Sequence, residues 1–178
     1  MFAAPTRNSS GRAHPSMPSD RHATTAIAWK VRDFRPSDVP AISEILRYSG
    51  EAAQWPAESY LSLAESAGGV LLVCEANAQA VGFVAARQAA DEAEILNIAV
   101  RRDSRRKGVA SALLIGVLDA FRRSAIAHAF LELRESNLPA RTLYERHGFI
   151  RTGRRKSYYA NPTEDALCML KKLTGAAD

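Results

Sequence analysis

Cysteine is scarce in this sequence. The 178 residues include two cysteines, Cys74 and Cys168, and each lies within an apolar, strand-like run. Cysteines in such runs are usually reduced thiols of a hydrophobic core, because the side chain behaves as a small apolar group. The sequence therefore predicts two core thiols, and it favours neither a disulfide bond nor a cysteine nucleophile.

Patterns typical of metal sites, membrane spans and exported proteins are also absent. The four histidines show no zinc-ligand spacing such as H-E-x-x-H. No apolar run reaches the roughly 18 residues that a membrane-spanning helix requires. The N-terminal stretch MFAAPTRNSSGRAHPSMPSD lacks the continuous apolar segment of a secretory signal. We therefore expect a cytoplasmic protein with no bound metal and no membrane partner.

Two familiar phosphate-binding motifs are missing too. The sequence contains no G-x-x-x-x-G-K-[ST], which excludes a P-loop, and no G-x-G-x-x-G, which excludes the dinucleotide-binding turn of a Rossmann domain. A site for a phosphate-bearing cofactor would therefore have to be built differently.

Positive charge exceeds negative charge, but the excess lies mainly at the N-terminal end. The formal net charge is +5, and residues 1–30 contribute +3 of it, which leaves +2 for the rest of the chain. Charge concentrated in a tail says little about what a folded domain binds. We expect no direct binding of nucleic acid.

Hydrophobic periodicity divides the chain into an extension and one domain. Residues 1–26 are rich in Pro, Ser, Arg and Ala without apolar periodicity, which predicts a disordered extension, and Met17 is an alternative start. Residues 27–175 show strand and helix patterns in the order β-α-α-β-β-β-α-β-α-β-β, with Ser37 as the N-cap of the first helix. The order predicts an α/β domain with a mixed central sheet flanked by about four helices.

The stretch RRDSRRKGVASAL, residues 101–113, comes after a predicted strand and leads into a helix that Gly108 opens. A helix N-terminus presents unpaired backbone N–H groups and the positive end of the helix dipole, which together attract anions. The small residues Gly108 and Ala110 would let a phosphate approach the backbone. The residues alone leave two interpretations open, a phosphate-binding loop and a charged face exposed to solvent.

Together with the segment downstream of it, this loop resembles the GNAT superfamily of N-acetyltransferases. Arg105, Gly108 and Ala110 match the superfamily's Arg/Gln-x-x-Gly-x-Gly/Ala loop, and FLELRESNLPARTLYERHGF is similar to its second conserved block. Within the superfamily, the segments between Ile95 and Leu170 look most like the bacterial ribosomal-protein-alanine N-acetyltransferases. The resemblance implies the GNAT fold and acetyl-CoA as the acetyl donor.

The resemblance also implies where acetyl-CoA would bind. Superfamily members splay the strand that matches LNIAV from its neighbour, and exposed backbone groups there bind the pantetheine arm. Asn137 would bind the pantetheine or cap the next helix, and both roles are open. The implied cofactor-binding residues are Ile98, Ala99, Val100, Arg105, Arg106, Lys107, Gly108, Val109, Ala110, Ser111 and Asn137.

Acyl transfer to an amine needs a base for the amine and an acid for the departing thiolate. In the resembled enzymes a strand glutamate and a helix tyrosine serve, which match Glu132 and Tyr144. Leu131 and Leu133 flank Glu132, so alternation along the strand turns Glu132 to the face opposite the leucines. Taken without the resemblance, Glu132 is an exposed strand residue and Tyr144 a core residue. Glu94 is a second candidate for the base.

The loop between the last two predicted strands is implied to bind the acceptor. Related enzymes that act on protein N-termini use adjacent tyrosines there, which match Tyr158 and Tyr159; the alternative is that these aromatic residues only end a strand. Trp55 would line the groove or serve as a packing anchor. Glu164 and Asp165 would orient a basic acceptor segment or form a solvated turn.

These implications combine into a prediction of function. We expect an acetyl-CoA-dependent enzyme that transfers acetyl directly, without an acyl-enzyme, to the N-terminal alanine of a small-subunit ribosomal protein. An α-amine suits a modest base, because its pKa of about 8 lies below the value of about 10.4 for lysine. The alternatives are an acetyltransferase of the same fold that acts on lysine or a small amine, and a binding module without catalysis.

Overall fold

Strands and helices succeed one another in the order that the sequence predicts. The structure, a computed structural model, describes residues 29–173, so the predicted extension and the end of the predicted domain lie outside the described residues. The elements are β1 (Trp29–Asp33), α1 (Val39–Arg47), α2 (Ala57–Glu65), β2 (Gly69–Ala76), β3 (Gln79–Ala89), β4 (Glu92–Val100), α3 (Val109–Arg123), β5 (His128–Arg134), α4 (Leu138–Arg146), β6 (Ile150–Tyr159) and β7 (Glu164–Lys172).

The strands form one mixed sheet, as predicted. Its seven strands lie in the order β1-β2-β3-β4-β5-β7-β6. Within residues 29–173, β4 and β5 are the only neighbours that run parallel, and α3 connects them. Antiparallel pairs thus build each half of the sheet, and one parallel pair, connected through α3, joins the halves.

Alternate residues of the central strands serve two hydrophobic cores, one on each face of the sheet. Val84 and Ala86 of β3 pack in the core that includes α3 and Tyr144 of α4. Phe83 and Ala85 of the same strand pack in the core under α1 and α2. This alternation results from the period of two of a β-strand and explains why β3 is apolar at nearly every position.

The long helix α3 packs closely on the sheet, and a small residue makes this possible. A Cβ atom at Gly116 would lie 3.2 Å from Leu72 Cδ1 and 3.3 Å from Val31 Cγ1. Its larger apolar residues Leu113, Val117 and Phe121 are fully buried. The glycine therefore brings the helix axis nearer to β1 and β2 than any larger side chain would allow.

The first helix begins differently from the prediction. Residues 36–38 form a short 3-10 turn, and Asp38 rather than Ser37 occupies the N-cap position of α1. The Asp38 carboxylate accepts a hydrogen bond from the Arg35 amide and binds both terminal nitrogens of Arg32, each at 2.8 Å. A bidentate charged pair outweighs a single hydroxyl cap, so the Ser37 assignment is wrong.

Candidate active site

The sheet opens between β4 and β5. These strands pair from Glu92 and His128 only as far as Ile95 and Leu131. Beyond that point β4 stays paired with β3, and β5 stays paired with β7. A break in the β3–β4 register beside Leu96 accompanies the parting. The structure therefore contains the splayed strand that the resemblance implies.

Backbone groups of β4 face this opening. The Arg101 N–H donates to the Val81 carbonyl across β3 at 2.8 Å. Because the C=O and N–H of one peptide group point in opposite directions, the Val100 carbonyl points away from β3 toward the opening, and the backbone groups of Ile98 do the same by the period of two. Ala99 is buried in the core beneath α1 and α2, with its backbone directed to β3. Of these three predicted cofactor residues, two present backbone groups to the opening.

The predicted phosphate-binding loop ends at an uncapped helix N-terminus. Gly108 is the N-cap residue of α3, has a φ of +86° and leaves the first turn without a side-chain cap. Helix geometry gives the amides of Val109, Ala110 and Ser111 no carbonyl partner within the helix. The nearest atom to a Cβ built on Gly108 is Trp29 Cζ2, at 3.8 Å. Gly108 therefore leaves open space at the helix N-terminus, which is where an anion binds to such amides.

The basic side chains of the loop differ in their contacts. Arg106 and Lys107 are exposed, and Arg106 has a φ of +62°. The Arg105 guanidinium instead donates to the Val100 carbonyl at 2.9 Å, and to the Tyr48 carbonyl and Ser49 Oγ behind α1, at 3.1 and 2.9 Å. Arg105 thus holds the loop in shape. The sequence does not indicate the contacts with Tyr48 and Ser49, because these residues are distant from Arg105 in the chain.

A second contact that the sequence does not indicate joins α3 to the end of α4. Ser111 Oγ and His147 Nε2 are 2.7 Å apart. Burial and the neighbouring Lys171 ammonium lower the pKa of His147 below its ordinary value of 6.5. At neutral pH the imidazole is therefore uncharged beside the first turn of α3.

Asn137 caps α4. Its side-chain oxygen accepts a hydrogen bond from the Ala140 amide at 3.1 Å. This is one of the two roles that the sequence leaves open. The other, contact with pantetheine, stays a prediction.

Glu132 lies on the face opposite its leucine neighbours, as alternation predicts. Leu131 and Leu133 are buried in the core with α3, whereas Glu132 is only partly buried and lines a cleft of about 380 Å³, which Leu131 also borders. Its Oε1 is 2.9 Å from Arg155 Nε and 4.0 Å from Cys168 Sγ. The carboxylate is thus accessible and held in place from one side.

Glu94, the alternative base, lines the same cleft. Its carboxylate is 3.4 Å from the Arg87 guanidinium. The cleft lies on the face of α1 and α2, in the part of the sheet that these helices leave uncovered. Its full lining is Arg87, Ala89, Glu92, Ala93, Glu94, Phe130, Leu131, Glu132, Thr152, Arg155, Cys168 and Met169.

Tyr144 lies on the other face of the sheet. It is buried in the core with Leu131 and Leu133 and packs edge-to-face on Phe149, with ring centroids 5.6 Å apart. Burial raises the pKa of Tyr144 above its ordinary value of 10.0. The hydroxyl is therefore protonated at physiological pH, which is the form that an acid needs.

The predicted tyrosine pair lies beside Glu132. The rings of Tyr158 and Tyr159 meet edge-to-face with centroids 5.1 Å apart, and the Arg134 guanidinium lies 4.4 Å from the Tyr159 centroid. The Glu132 carboxylate raises the pKa of Tyr158. Burial, and after it Glu132, raises the pKa of Tyr159 to about 12. The aromatic pair thus lies next to the Glu132 carboxylate, outside the residues that line the cleft itself.

The two neighbouring acidic residues have partners within this chain. Glu164 binds Arg134 at 3.1 Å and accepts a hydrogen bond from the Ser136 amide. Asp165 binds Arg154 at 3.3 Å. Both carboxylates thus stabilise the loop at the end of β6 and β7, which removes the main argument for their orienting a basic acceptor.

Trp55 serves as a packing anchor and also lines a second groove. Its ring lies 5.4 Å from that of Tyr60, in the core under α1 and α2. The second groove, which Trp55 lines together with Glu58, shares Arg87 with the cleft at Glu132. The Asn97 amide donates to the Tyr60 hydroxyl at 2.9 Å, which attaches this corner to β4.

The described residues contain neither a metal-binding cluster nor a membrane-spanning helix. Among residues 29–173, no group of three or more His, Cys, Asp or Glu side chains is placed to hold a metal ion. None of the helices described is long and apolar enough to cross a membrane.

Comparison with known proteins shows which family this chain belongs to. The acetyltransferase (GNAT) family pattern matches residues 33–149. The ribosomal protein bS18-alanine N-acetyltransferase of Escherichia coli (strain K12) is 37% identical over 95 residues, which is 52% of this chain and 64% of that protein. A Bacillus subtilis (strain 168) protein, provisionally named for the same activity, is 31% identical over 140 residues, 78% of this chain and 92% of the relative.

A solved structure supports the fold assignment. The ribosomal-protein-S18-alanine N-acetyltransferase of Escherichia coli superposes with a TM-score of 0.74 at 28% identity, over 85% of this chain and 97% of that one. The seven-stranded mixed sheet and its four helices are thus the GNAT fold that the sequence predicts. The protein belongs to the GNAT family and is an N-acetyltransferase.

Proposed function

We propose that this enzyme transfers acetyl from acetyl-CoA to the N-terminal alanine of a small-subunit ribosomal protein in the cytoplasm, with Glu132 as base and Tyr144 as acid. The names of its relatives support the acceptor. The observation that carries the mechanism is the placement of Glu132 and Tyr144 on opposite faces of a sheet that opens between β4 and β5.

The described residues fit acetyl-CoA at this opening. The outward backbone groups of Ile98 and the Val100 N–H offer hydrogen bonds to an amide-containing arm, as a neighbouring strand would, whereas the Val100 carbonyl already accepts from Arg105. The amides after Gly108 are unpaired within α3 and face no side-chain cap, which suits a pyrophosphate. Arg106 and Lys107 are exposed next to them and add attraction for an anion.

The two proton transfers take place on different faces of the sheet, that of Glu132 on the cleft side and that of Tyr144 on the side of α3. When bound, acetyl-CoA supplies an activated thioester at the opening. Glu132 takes a proton from the acceptor ammonium on the cleft side. As the amine nitrogen bonds to the acetyl carbon and the carbon–sulfur bond breaks, the Tyr144 hydroxyl gives its proton to the departing sulfur. The second proton lost by the nitrogen restores the Tyr144 hydroxyl through water.

The cleft side suits a peptide N-terminus. The rings of Tyr158 and Tyr159 lie next to the Glu132 carboxylate, where they can contact the acceptor backbone. Glu132 lies beside them, so that an amine in contact with the carboxylate places the next residues of the peptide along the tyrosines. An α-amine also loses its proton more readily than a lysine side chain does.

A peptide panel tests the acceptor. Thiol release from acetyl-CoA is measured with peptides that begin with Ala, Ser, Met or Gly, with an N-blocked Ala peptide, and with lysine and small amines. We expect the highest kcat/KM with the Ala peptide and no reaction with its blocked form. Equal rates with the blocked peptide or with free amines would instead establish the lysine or small-amine alternative. Failure of acetyl-CoA to raise the melting temperature would favour a binding module.

Three variants test the catalytic assignment. We expect Glu132→Gln and Tyr144→Phe each to lower kcat by about 10²- to 10⁴-fold, the usual contribution of one acid or base. Phe at position 144 keeps the edge-to-face contact with Phe149, so its thermal stability serves as a control for folding. Glu94→Gln is the matched variant in the same cleft. A larger loss in this variant than in Glu132→Gln would transfer the role of base to Glu94.

A further inference from the structure

The carboxylate proposed as the base is covered by a side chain from two strands away. Arg155 lies on β6, and Glu132 lies on β5, with β7 between them. The guanidinium reaches across β7, and its Nε is 2.9 Å from Glu132 Oε1. The Arg155 side chain is 61% exposed and that of Glu132 is 17% exposed. The arginine therefore covers the carboxylate from the cleft side.

An acceptor ammonium would need the same place. It is a cation with N–H donors, and it must contact the Glu132 carboxylate to lose its proton. While the Arg155 guanidinium lies at Oε1 on the cleft side, an ammonium that approaches this oxygen from the cleft must displace it. We propose that Arg155 is a positioning residue that occupies the ammonium site in the free enzyme and is displaced by the acceptor. This inference rests on the proposed role of Glu132.

The ion pair between Arg155 and Glu132 is weak enough for an acceptor ammonium to replace it. An ion pair with an exposed partner contributes at most about 1 kcal/mol, which corresponds to about a fivefold change in a dissociation constant. The released guanidinium keeps favourable surroundings, because its Cζ already lies 5.5 Å from the Tyr158 ring centroid and Glu92 and Glu94 line the same cleft. Arg155 thus covers the carboxylate in the free enzyme and gives way when the acceptor binds.

Peptide binding measures this competition without turnover. Titration calorimetry gives the Kd of the Ala peptide for enzyme saturated with coenzyme A. We expect Arg155→Gln to lower Kd by up to about fivefold and to lower KM in parallel, with kcat unchanged, because Arg155 is already displaced at saturation. Arg155→Lys keeps the charge and should resemble the wild type. Arg151→Gln removes one charge from an exposed position of the same strand and should leave Kd unchanged.

A double-mutant cycle gives the decisive result. In a Glu132→Gln background no carboxylate remains to be contested, so Arg155→Gln should no longer change Kd. An equal effect in both backgrounds would show simple charge repulsion, and an unchanged Kd or a fall in kcat with Arg155→Gln would show a structural role. Each of these results overturns the proposal.

The outcome for Arg155 can be separated from the outcome for the proposed function. Wild-type turnover of the Ala peptide decides the acceptor, whereas the cycle decides the role of Arg155. If the panel instead identifies lysine or a small amine, the cycle is measured with that amine, because any ammonium competes for the same carboxylate.

Discussion

Gly108 combines a backbone conformation that favours glycine with a position at the start of α3. The backbone has a φ of +86°, a left-handed conformation that favours glycine, and the unpaired amides of α3 begin directly after it. Arg101, at the other end of the basic loop, binds Asp103 at 2.8 Å and Gln79 at 3.3 Å. The charged residues of the loop are thus unequal in importance, and the glycine is placed nearest to the proposed phosphate site.

We expect Gly108→Glu to abolish acetyl-CoA binding in calorimetry, because a carboxylate at the mouth of the helix repels the pyrophosphate. Gly108→Asn is the matched control, since asparagine tolerates a positive φ and carries no charge. It should retain binding with reduced affinity. Arg101→Ala should leave binding nearly unchanged. Equal losses in Gly108→Glu and Arg101→Ala would contradict the proposed site.

At the scale of elements, the contact of α3 with the sheet places the cofactor loop. Gly116 allows this contact, and any side chain there would press on Leu72 and Val31. At the N-terminal end of α3, Arg105 fixes the preceding loop to the end of α1. The position of the helix N-terminus is therefore determined by packing rather than by the basic motif itself.

We expect Gly116→Leu to lower the free energy of unfolding by about 1–3 kcal/mol through overpacking, measured by urea denaturation. Gly116→Ala is the control, because its single methyl group meets contacts that can yield by tenths of an ångström. Its gain in helix propensity, about 1 kcal/mol, offsets that strain. Equal stability of the Leu and Ala variants would show that α3 is not held against β1 and β2.

At the scale of the whole molecule, the pH dependence of stability includes a contribution from His147. Its pKa is lowered in the folded protein by burial and by Lys171, so the unfolded chain binds more protons at mildly acidic pH. The contribution of His147 to stability is therefore complete above the ordinary value of 6.5 and is lost as the pH falls through the folded pKa.

We expect the free energy of unfolding to fall from about pH 7.5 to about pH 5, measured by urea denaturation across this range. His147→Gln should flatten this dependence, because glutamine can keep the hydrogen bond to Ser111 and does not titrate. The same slope in the variant and in the wild type would exclude His147 as the source.

Features that depend on residues close together in the chain are specified by the amino-acid sequence alone. The order of elements, the apolar stripe of α3 and the face on which Glu132 lies all result from periods of two or 3.6 residues. Gly108 at a helix start is predictable because a glycine preceding an apolar-periodic run is a local signal. The resemblance to GNAT enzymes rests on motifs of the same local kind.

Which distant residues meet is settled by the tertiary structure. The contacts of Arg105 with Ser49, of Ser111 with His147 and of Arg155 with Glu132 join residues that no local pattern connects. The contact of Arg155 with Glu132, for example, depends on the order β5-β7-β6, which leaves only one strand between the two residues. Local periodicity fixes the direction of a side chain relative to its own element, whereas the packing of elements fixes what that side chain reaches.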